Sequence, residues 1–255
     1  MDISAIIVSW NVKELLKKCL ISLVEQGSGV AYEIIVIDNT SVDGTREDFN
    51  SWKSHCPGKW DFVTLIANST NRGFAAACNQ GAAVAQGKVL LFLNPDCEVK
   101  AGTLQGVVQF FNEHTNAGVM GGKILNSDGT VQPSVRRFPG FWDQALILFG
   151  IQKIFPDLAS LRRYFMTDFD YRLEAKVDQV MGAFFAMPKH VFEKLGGFDE
   201  HFFVWFEEVD LCKRVHNAGL KVYYSPHVAV VHHGGASFKQ VHKFRRRAIW
   251  LTSLW

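Results

Sequence analysis

Three features of this sequence predict an α/β fold on a mostly parallel sheet. Strand and helix patterns alternate through the first hundred residues, the mark of βαβ units. The short run Val89-Leu90-Leu91-Phe92-Leu93, bounded by Gly87-Lys88 and a proline, reads as a buried strand. It ends at Asn94-Pro95-Asp96, which puts a carboxylate at the carboxyl edge of the sheet. That edge is where open α/β sheets bind ligands.

The elements follow in order. Strands are expected over residues 4–9, 33–37, 62–67 and 89–93. A helix over 13–25 carries apolar positions at Leu15, Leu16, Leu20, Leu23 and Val24. The segment 41–45 is a turn into a helix start, and 73–85 is an Ala-rich helix closed by Gly87. Beyond residue 100 the pattern changes. Helices are expected over 103–113, 190–195 and 206–218, and strands over 118–125, 179–187, 222–224 and 228–231. The stretch 136–165 is rich in Phe, Leu and Arg with little turn chemistry.

Composition bounds the function. The 255 residues are 48% apolar and 20% charged, which is globular and not disordered. A net charge of +2 gives no argument for nucleic acid. The five cysteines form no CxxC pair, as expected for reduced thiols in the cytosol. There is no secretory leader pattern and no run of about 18 apolar residues that would span a membrane. The basic stretch Lys239 to Arg247, followed by Trp250, Leu251 and Trp255, suits either a membrane interface or an amphipathic terminal helix. The pattern stops there without a stop signal, as in a chain cut from a longer one.

Four clusters carry chemistry. Asp38-Asn39 with Asp43-Gly44-Thr45 follows a strand, and an Asp there can accept from the N3–H of uracil or thymine. The alternative is an N-capped turn. Asn71-Arg72-Gly73-Phe74 leads into a helix with Asn79, which orients a base or a loop. Phe206-Glu207-Glu208-Val209-Asp210 packs three acids beside the apolar run 202–206. Such a setting raises a Glu toward general-base values, although wet acidic helix faces are also common. His232-His233-Gly234-Gly235 offers imidazoles for a metal or phosphate, or simply two half-buried histidines.

In this order and spacing the clusters resemble the inverting family 2 glycosyltransferases of the GT-A fold, and within them rhamnosyltransferase-like members of surface-polysaccharide assembly. The resemblance runs from Ile6-Ile7-Val8-Ser9-Trp10-Asn11 to about Ser237, and includes Gly182-Ala183-Phe184 and Gly196-Gly197-Phe198-Asp199-Glu200. It implies a Rossmann-like, mostly parallel central sheet flanked by helices, with a smaller acceptor-side sheet. One domain would cover 1–237, split into a nucleotide-binding half (1–100) and an acceptor-binding half (101–237). A basic, aromatic segment (238–255) would follow.

The implied activity moves a sugar from a nucleoside diphosphate, dTDP-L-rhamnose or a UDP-sugar, to a glycan or lipid-linked hydroxyl with inversion. Ser9, Asp38, Asn39, Asp43, Arg72, Asn79 and Asn94 would lie along the nucleotide. Asp96 and His232 would hold Mg²⁺ or Mn²⁺, with His233 a competitor of His232. Glu208 would be the base and Glu207 the runner-up, and Trp205, Asp210 and His233 would face the acceptor. Two residues depart from the family pattern: Glu208 replaces the usual Asp, and Asn94 replaces an acid. A degenerate GT-A domain that binds sugar nucleotide or membrane without turnover is therefore the alternative. The segment from Arg136-Arg137 to Arg162-Arg163 is expected either to approach a membrane on its cytoplasmic face or to cover the core. No GxxxxGK[ST] loop and no GxSxG elbow is present, which excludes P-loop and esterase chemistry.

Overall fold

The structure is a computed structural model and describes residues 1–26, 29–55 and 60–234. The basic C-terminal segment, Gly235 and Cys56 lie outside the described residues.

Four parallel strands form the first half of the main sheet: β1 (Ile3–Ser9), β2 (Tyr32–Asp38), β3 (Val63–Ala67) and β4 (Val89–Leu93). They alternate with α1 (Lys13–Gln26), α2 (Thr45–His55) and α3 (Phe74–Val84). Strands β1 and β4 and the second half of β2 are buried on both faces, while β3, at the sheet edge, is only partly covered. Ile3, Ala5 and Ile7 of β1 point into one apolar cluster, with Leu16, Leu20 and Leu23 of α1. Ile6 and Val8 point into the other, with Ala75, Ala77 and Ala82 of α3. A period of two with apolar residues on both sides produces the unbroken apolar runs of the sequence. Each large side chain buried this way contributes about 1.5–3 kcal/mol.

The second half adds β5 (Cys97–Val99), α4 (Thr103–Glu113), β6 (Ala117–Leu125), β7 (Val135–Arg136), α5 (Phe141–Leu148) and α6 (Ala159–Phe165). Then come β8 (Ala175–Val177), β9 (Gln179–Val180), β10 (Phe184–Pro188), α7 (Lys189–Lys194), α8 (Glu207–Asn217) and β11 (Lys221–His232). The main sheet has the order β3-β2-β1-β4-β10-β6-β11-β5, with β8 also paired to β11. Strands β10, β5 and β8 run against the other six. Strands β7 and β9 form a separate two-stranded sheet.

Three expectations are corrected. The strand expected over 179–187 is two strands in two sheets. Met181 N–H donates to Ser134 O beside the small sheet, while Ala183 O accepts from Asn94 N in the main sheet. The two strands expected over 222–231 are one, β11, with a register shift between Ser225 and Ala229 against β6. Strand β5 was not expected, because three residues after a Pro-Asp turn carry no periodic signal.

The two halves close on each other at Gly73. Its φ is +85°, and a Cβ there would lie 2.5 Å from Phe203 O. Phe74 N–H donates to that same carbonyl at 2.6 Å. Only glycine permits this approach.

Candidate active site

The sheet's carboxyl edge gathers most of the residues that the sequence singles out. Ser9 ends β1 in register with Asp38 at the end of β2. The Ser9 hydroxyl is buried and has no hydrogen-bond partner among the described residues. The loops after β1 and β2 are laced together: Ser41 Oγ accepts from Asn11 N, Asn11 Oδ1 from Val42 N, and Asp43 Oδ2 from Lys13 N. Asp43 thus caps α1 from the neighbouring loop. Burial pushes its carboxyl up, but hydrogen bonds from Thr45 and the Lys13 amide outweigh this and hold it below the ordinary value.

Asp38 does not present an open carboxylate. Its side chain is fully buried, Arg46 Nε pairs with it at 2.6 Å, and Ser41 N–H points at both its oxygens. Arg46 also donates to Asn68 O and keeps a partly exposed face. The sequence reading missed Arg46, the second residue of α2, which carries no local signal. Asn39 is equally occupied: it donates to Gly73 O and accepts from Asn68 Nδ2. Asn79 orients a loop, bonding both the N–H and the carbonyl of Phe198 and the Glu200 carboxylate. Arg72 is half-exposed, 3.7 Å from Glu200.

Beyond β4, Asp96 is buried and faces His232, the last residue of β11. Pairing of β11 with β5 sets His232 opposite Cys97. His232 Nε2 lies 3.3 Å from Asp96 Oδ1 and 3.5 Å from Asn94 Nδ2. Its other nitrogen, Nδ1, lies 2.7 Å from Gln132 Oε1. The polarity of that contact is set further out. Gln132 Nε2 donates to Asn126 Oδ1, and Asn126 Nδ2 donates to Thr130 Oγ1. Gln132 Oε1 therefore accepts, Nδ1 carries the proton, and the Nε2 lone pair is aimed at a carboxylate. Two buried acceptors 3.3 Å apart call for a shared cation or proton. Asp96, Cys97 and His232 are close enough to hold one ion. Cys97 is the poorest of the three. Burial first, and then Asp96, push its thiol well above the ordinary range, and it donates to Ala183 O. The remaining O and N donors suit Mg²⁺ or Mn²⁺ better than a thiophilic metal.

His233 turns away. Its Nε2 meets Glu98 Oε1 at 2.7 Å and its Nδ1 meets Ser127 Oγ at 2.8 Å. Alternation along an extended chain separates the two histidines, and His232 is the one that reaches Asp96. Replacing Gln132 with Leu is expected to weaken Mn²⁺ binding about 10–100-fold, because the imidazole loses its orienting acceptor. Calorimetric titration of Mn²⁺ checks this, and unchanged affinity would remove Gln132 from the site.

The acidic pair sits at the start of α8. Trp205 and Phe206 precede it with φ of +66° and +71°. Two consecutive bulky residues in the left-handed region are costly, and such strain is retained where it fixes functional geometry. Glu207 is buried and Glu208 half-buried, and one oxygen of each lacks a hydrogen-bond partner among the described residues. Burial and then repulsion from Glu208 hold the Glu207 carboxyl well above the ordinary range. Burial raises Glu208 as well, partly offset by backbone hydrogen bonding and by Arg136. Asp210 leaves this pair and ion-pairs with Arg214 at 2.6 Å.

A Cβ on Gly182 would lie 3.8 Å from the Glu208 side chain. The next residue, Ala183, accepts from Asn94 N. The sheet switch at 181–183 thus links the surroundings of Asp96 to those of Glu208.

The model of glycosyl transferase family 2 matches residues 4–196. The chain belongs to this family. A second model, the N-terminal domain of galactosyltransferase, matches residues 162–236 of this family 2 chain. Among curated relatives, an N-acetylglucosaminyl-diphospho-decaprenol L-rhamnosyltransferase of Mycobacterium tuberculosis is 26% identical over 216 residues, which is 78% of this chain and 66% of the relative. A low-salt glycan biosynthesis hexosyltransferase of Haloferax volcanii is 26% identical over 225 residues, 87% of this chain and 64% of the relative. The chain thus spans just under two thirds of the length of these relatives. In fold it is similar to GalNAc-T7, solved with UDP, GalNAc and Mn²⁺ (TM-score 0.67, 18% identity, 91% of this chain and 43% of that one). It is equally similar to a mannosyltransferase of Pyrobaculum calidifontis, solved with GDP-Man and Mn²⁺ (TM-score 0.67, 20% identity, 96% and 60%). Both have the GT-A fold, as this family 2 chain does.

Proposed function

We propose that this chain is an inverting, metal-assisted glycosyltransferase. It takes dTDP-L-rhamnose or a UDP-sugar as donor and a glycan or lipid-linked hydroxyl as acceptor, in assembly of bacterial surface polysaccharide at the cytoplasmic face. The observation that carries this reading is the buried cluster of Asp96, Cys97 and His232 at the sheet's carboxyl edge, with His232 Nε2 3.3 Å from Asp96 Oδ1. Asp96 and His232 would hold Mg²⁺ or Mn²⁺, with Asn94 beside them. The bound ion offsets negative charge on the leaving diphosphate.

The rest of the work falls to the chain itself. Glu208 takes the acceptor hydroxyl proton on a carboxylate oxygen that has no hydrogen-bond partner among the described residues. Glu207, more deeply buried, stays protonated and spares the site a second negative charge. Trp205 shapes the acceptor approach through its left-handed turn. Asp210 fixes Arg214, whose Nη1 holds Leu195 O. The 1–100 half binds the nucleotide. There Ser9 offers its unused hydroxyl, Asp38 holds Arg46 at the base-binding edge, and Arg72 supplies positive charge. Asn39, Asp43 and Asn79 keep the surrounding loops in place. His233 stiffens the outer rim through Glu98 and Ser127.

Incubation with dTDP-L-rhamnose, UDP-sugars and GDP-mannose, with Mn²⁺ or with EDTA, tests the reading. Release of nucleoside diphosphate from a dTDP or UDP donor, only with the metal, is expected. Thermal stabilisation by a donor without any release, across acceptors, would instead favour the non-catalytic binding domain.

A further inference from the structure

Helix α5 is built inside out. Its one buried residue is Asp143. That carboxylate accepts from Gly140 N at 2.8 Å, pairs with Arg163 of α6 at 3.0 Å, and is closed by the Ser160 hydroxyl. The polar side chain is the inward anchor, Ala145, Leu146 and Ile147 are half-buried, and Phe141, Trp142 and Leu148 face out. Phe141 is 74% exposed, Trp142 72% and Phe149 76%; Ile154 at 72% and Phe155 at 59% continue the ridge. Of fourteen exposed large apolar residues among those described, seven fall between 141 and 158. Scattered exposed apolar residues need no explanation, but a contiguous group does.

The ridge is also basic. Residues 136–165 contain five cations and two carboxylates, and one of those carboxylates is the buried Asp143. Arg137, Arg162 and Arg163 are each about half-exposed, ion-paired with Asp178, Asp168 and Asp143 in turn, and line a cavity of about 620 Å³ against α6. Asp157, Asp168 and Asp170 share its rim, so the aromatic side chains, more than the charges, set the strength of any contact. Phe and Trp flanked by Arg and Lys suit the boundary between lipid headgroups and acyl chains, where long cationic side chains reach back to phosphate. A symmetric dimer through this face would set like charges against each other.

We propose that residues 141–158 dock this protein on an anionic lipid bilayer, with Phe141, Trp142, Phe149, Ile154 and Phe155 in the interface and Arg137, Lys153 and Arg162 at phosphate depth. The docking stands on the surface alone. Its purpose, bringing a lipid-linked acceptor to Glu208, rests on the proposed function.

Flotation of the full chain with phosphatidylcholine vesicles, with and without about one third phosphatidylglycerol, reads this directly. Wild type is expected to float with the anionic vesicles. The triple variant Phe141→Ser, Trp142→Ser, Phe149→Ser is expected to lose at least tenfold in partitioning, at an unchanged melting temperature because these side chains are exposed. Brominated lipid should quench wild-type fluorescence more than that of Trp142→Phe. Equal partitioning of wild type and triple variant, or no flotation of wild type, would overturn the proposal. So would a wild-type dimer in solution that the triple variant converts to monomer. Vesicle binding without sugar transfer would leave docking intact and reject the function, and transfer without vesicle binding would do the reverse.

Discussion

Replacing Glu208 with Gln is expected to lower kcat about 10²–10⁴-fold, the usual contribution of a positioned general base. Binding of the donor nucleotide should be nearly unchanged, because Glu208 lies beside Gly182 and not among the loops after β1 and β2. Isotope-labelled sugar transfer measures the first and thermal shift with nucleotide the second. Wild-type turnover in this variant would reject the assignment. The pH profile carries a linked expectation. Burial raises both carboxyls, and repulsion from Glu208 raises Glu207 further, so the acidic limb of kcat should lie above the ordinary carboxylate range.

Stability should move in the opposite direction from activity. The unfolded chain releases these protons at the ordinary carboxylate value, near 4.3 for Glu, while the folded chain retains them to higher pH. Between those two values the folded state binds more protons, so stability is complete below the window and falls as pH rises through it. Glu207→Gln removes that loss. It should melt higher than wild type at neutral pH and equally in acid. A variant that melts lower at neutral pH would mean that Glu207 is ionised and paired in the folded protein.

Removing the metal is the second large effect. EDTA should abolish transfer, and Mn²⁺ or Mg²⁺ should restore it. Asp96→Asn should cost about 10²–10³-fold in kcat, the range for loss of one preorganised electrostatic group. His232→Ala should resemble it. In wild type, nucleotide with Mn²⁺ at a hundred times its Kd should stabilise by about 2.7 kcal/mol. In a chain of this size that is a shift of roughly 5–10 °C. Asp96→Asn should lose the part of that shift which depends on Mn²⁺. Full activity in chelated enzyme would reject the metal site.

Sequence patterns located the first half of the fold well. Strands β1, β2 and β4 read as mostly apolar runs because both faces are covered over most of their length, and β3, at the edge, was still marked by its short β-branched run. Strand β5 escaped notice because its pairing comes entirely from β11, 130 residues later. The segment 179–187 read as one strand because its apolar residues continue across the place where the chain changes sheets. That change depends on two backbone hydrogen bonds, to Ser134 and from Asn94, and a composition pattern cannot show them.

The candidate site divides in the same way. Asp96, Glu207, Glu208 and His232 were legible because each is a titratable residue at the edge of an apolar element. Arg46 and Gln132 were not. Each acts through one partner, Asp38 or His232, that is distant in sequence or lies in another element. The two histidines show the limit most clearly. His232 and His233 are adjacent and chemically identical, and the alternation of the extended chain sends one to Asp96 and the other to Glu98.

By itself the sequence determined the α/β class, the family resemblance, and the acids and imidazoles available for chemistry, because these depend on local periodicity and residue type. Only the tertiary structure decided which groups meet. The β5–β11 pairing aims His232 at Asp96 with its tautomer set by Gln132, and a strained turn at Trp205-Phe206 buries the acidic pair. Helix α5 leaves Phe141 and Trp142 exposed while Asp143 is buried against Gly140 N, Ser160 and Arg163. Each of these is a long-range packing choice, fixed by where buried polar groups find partners, and sequence neighbours do not record it.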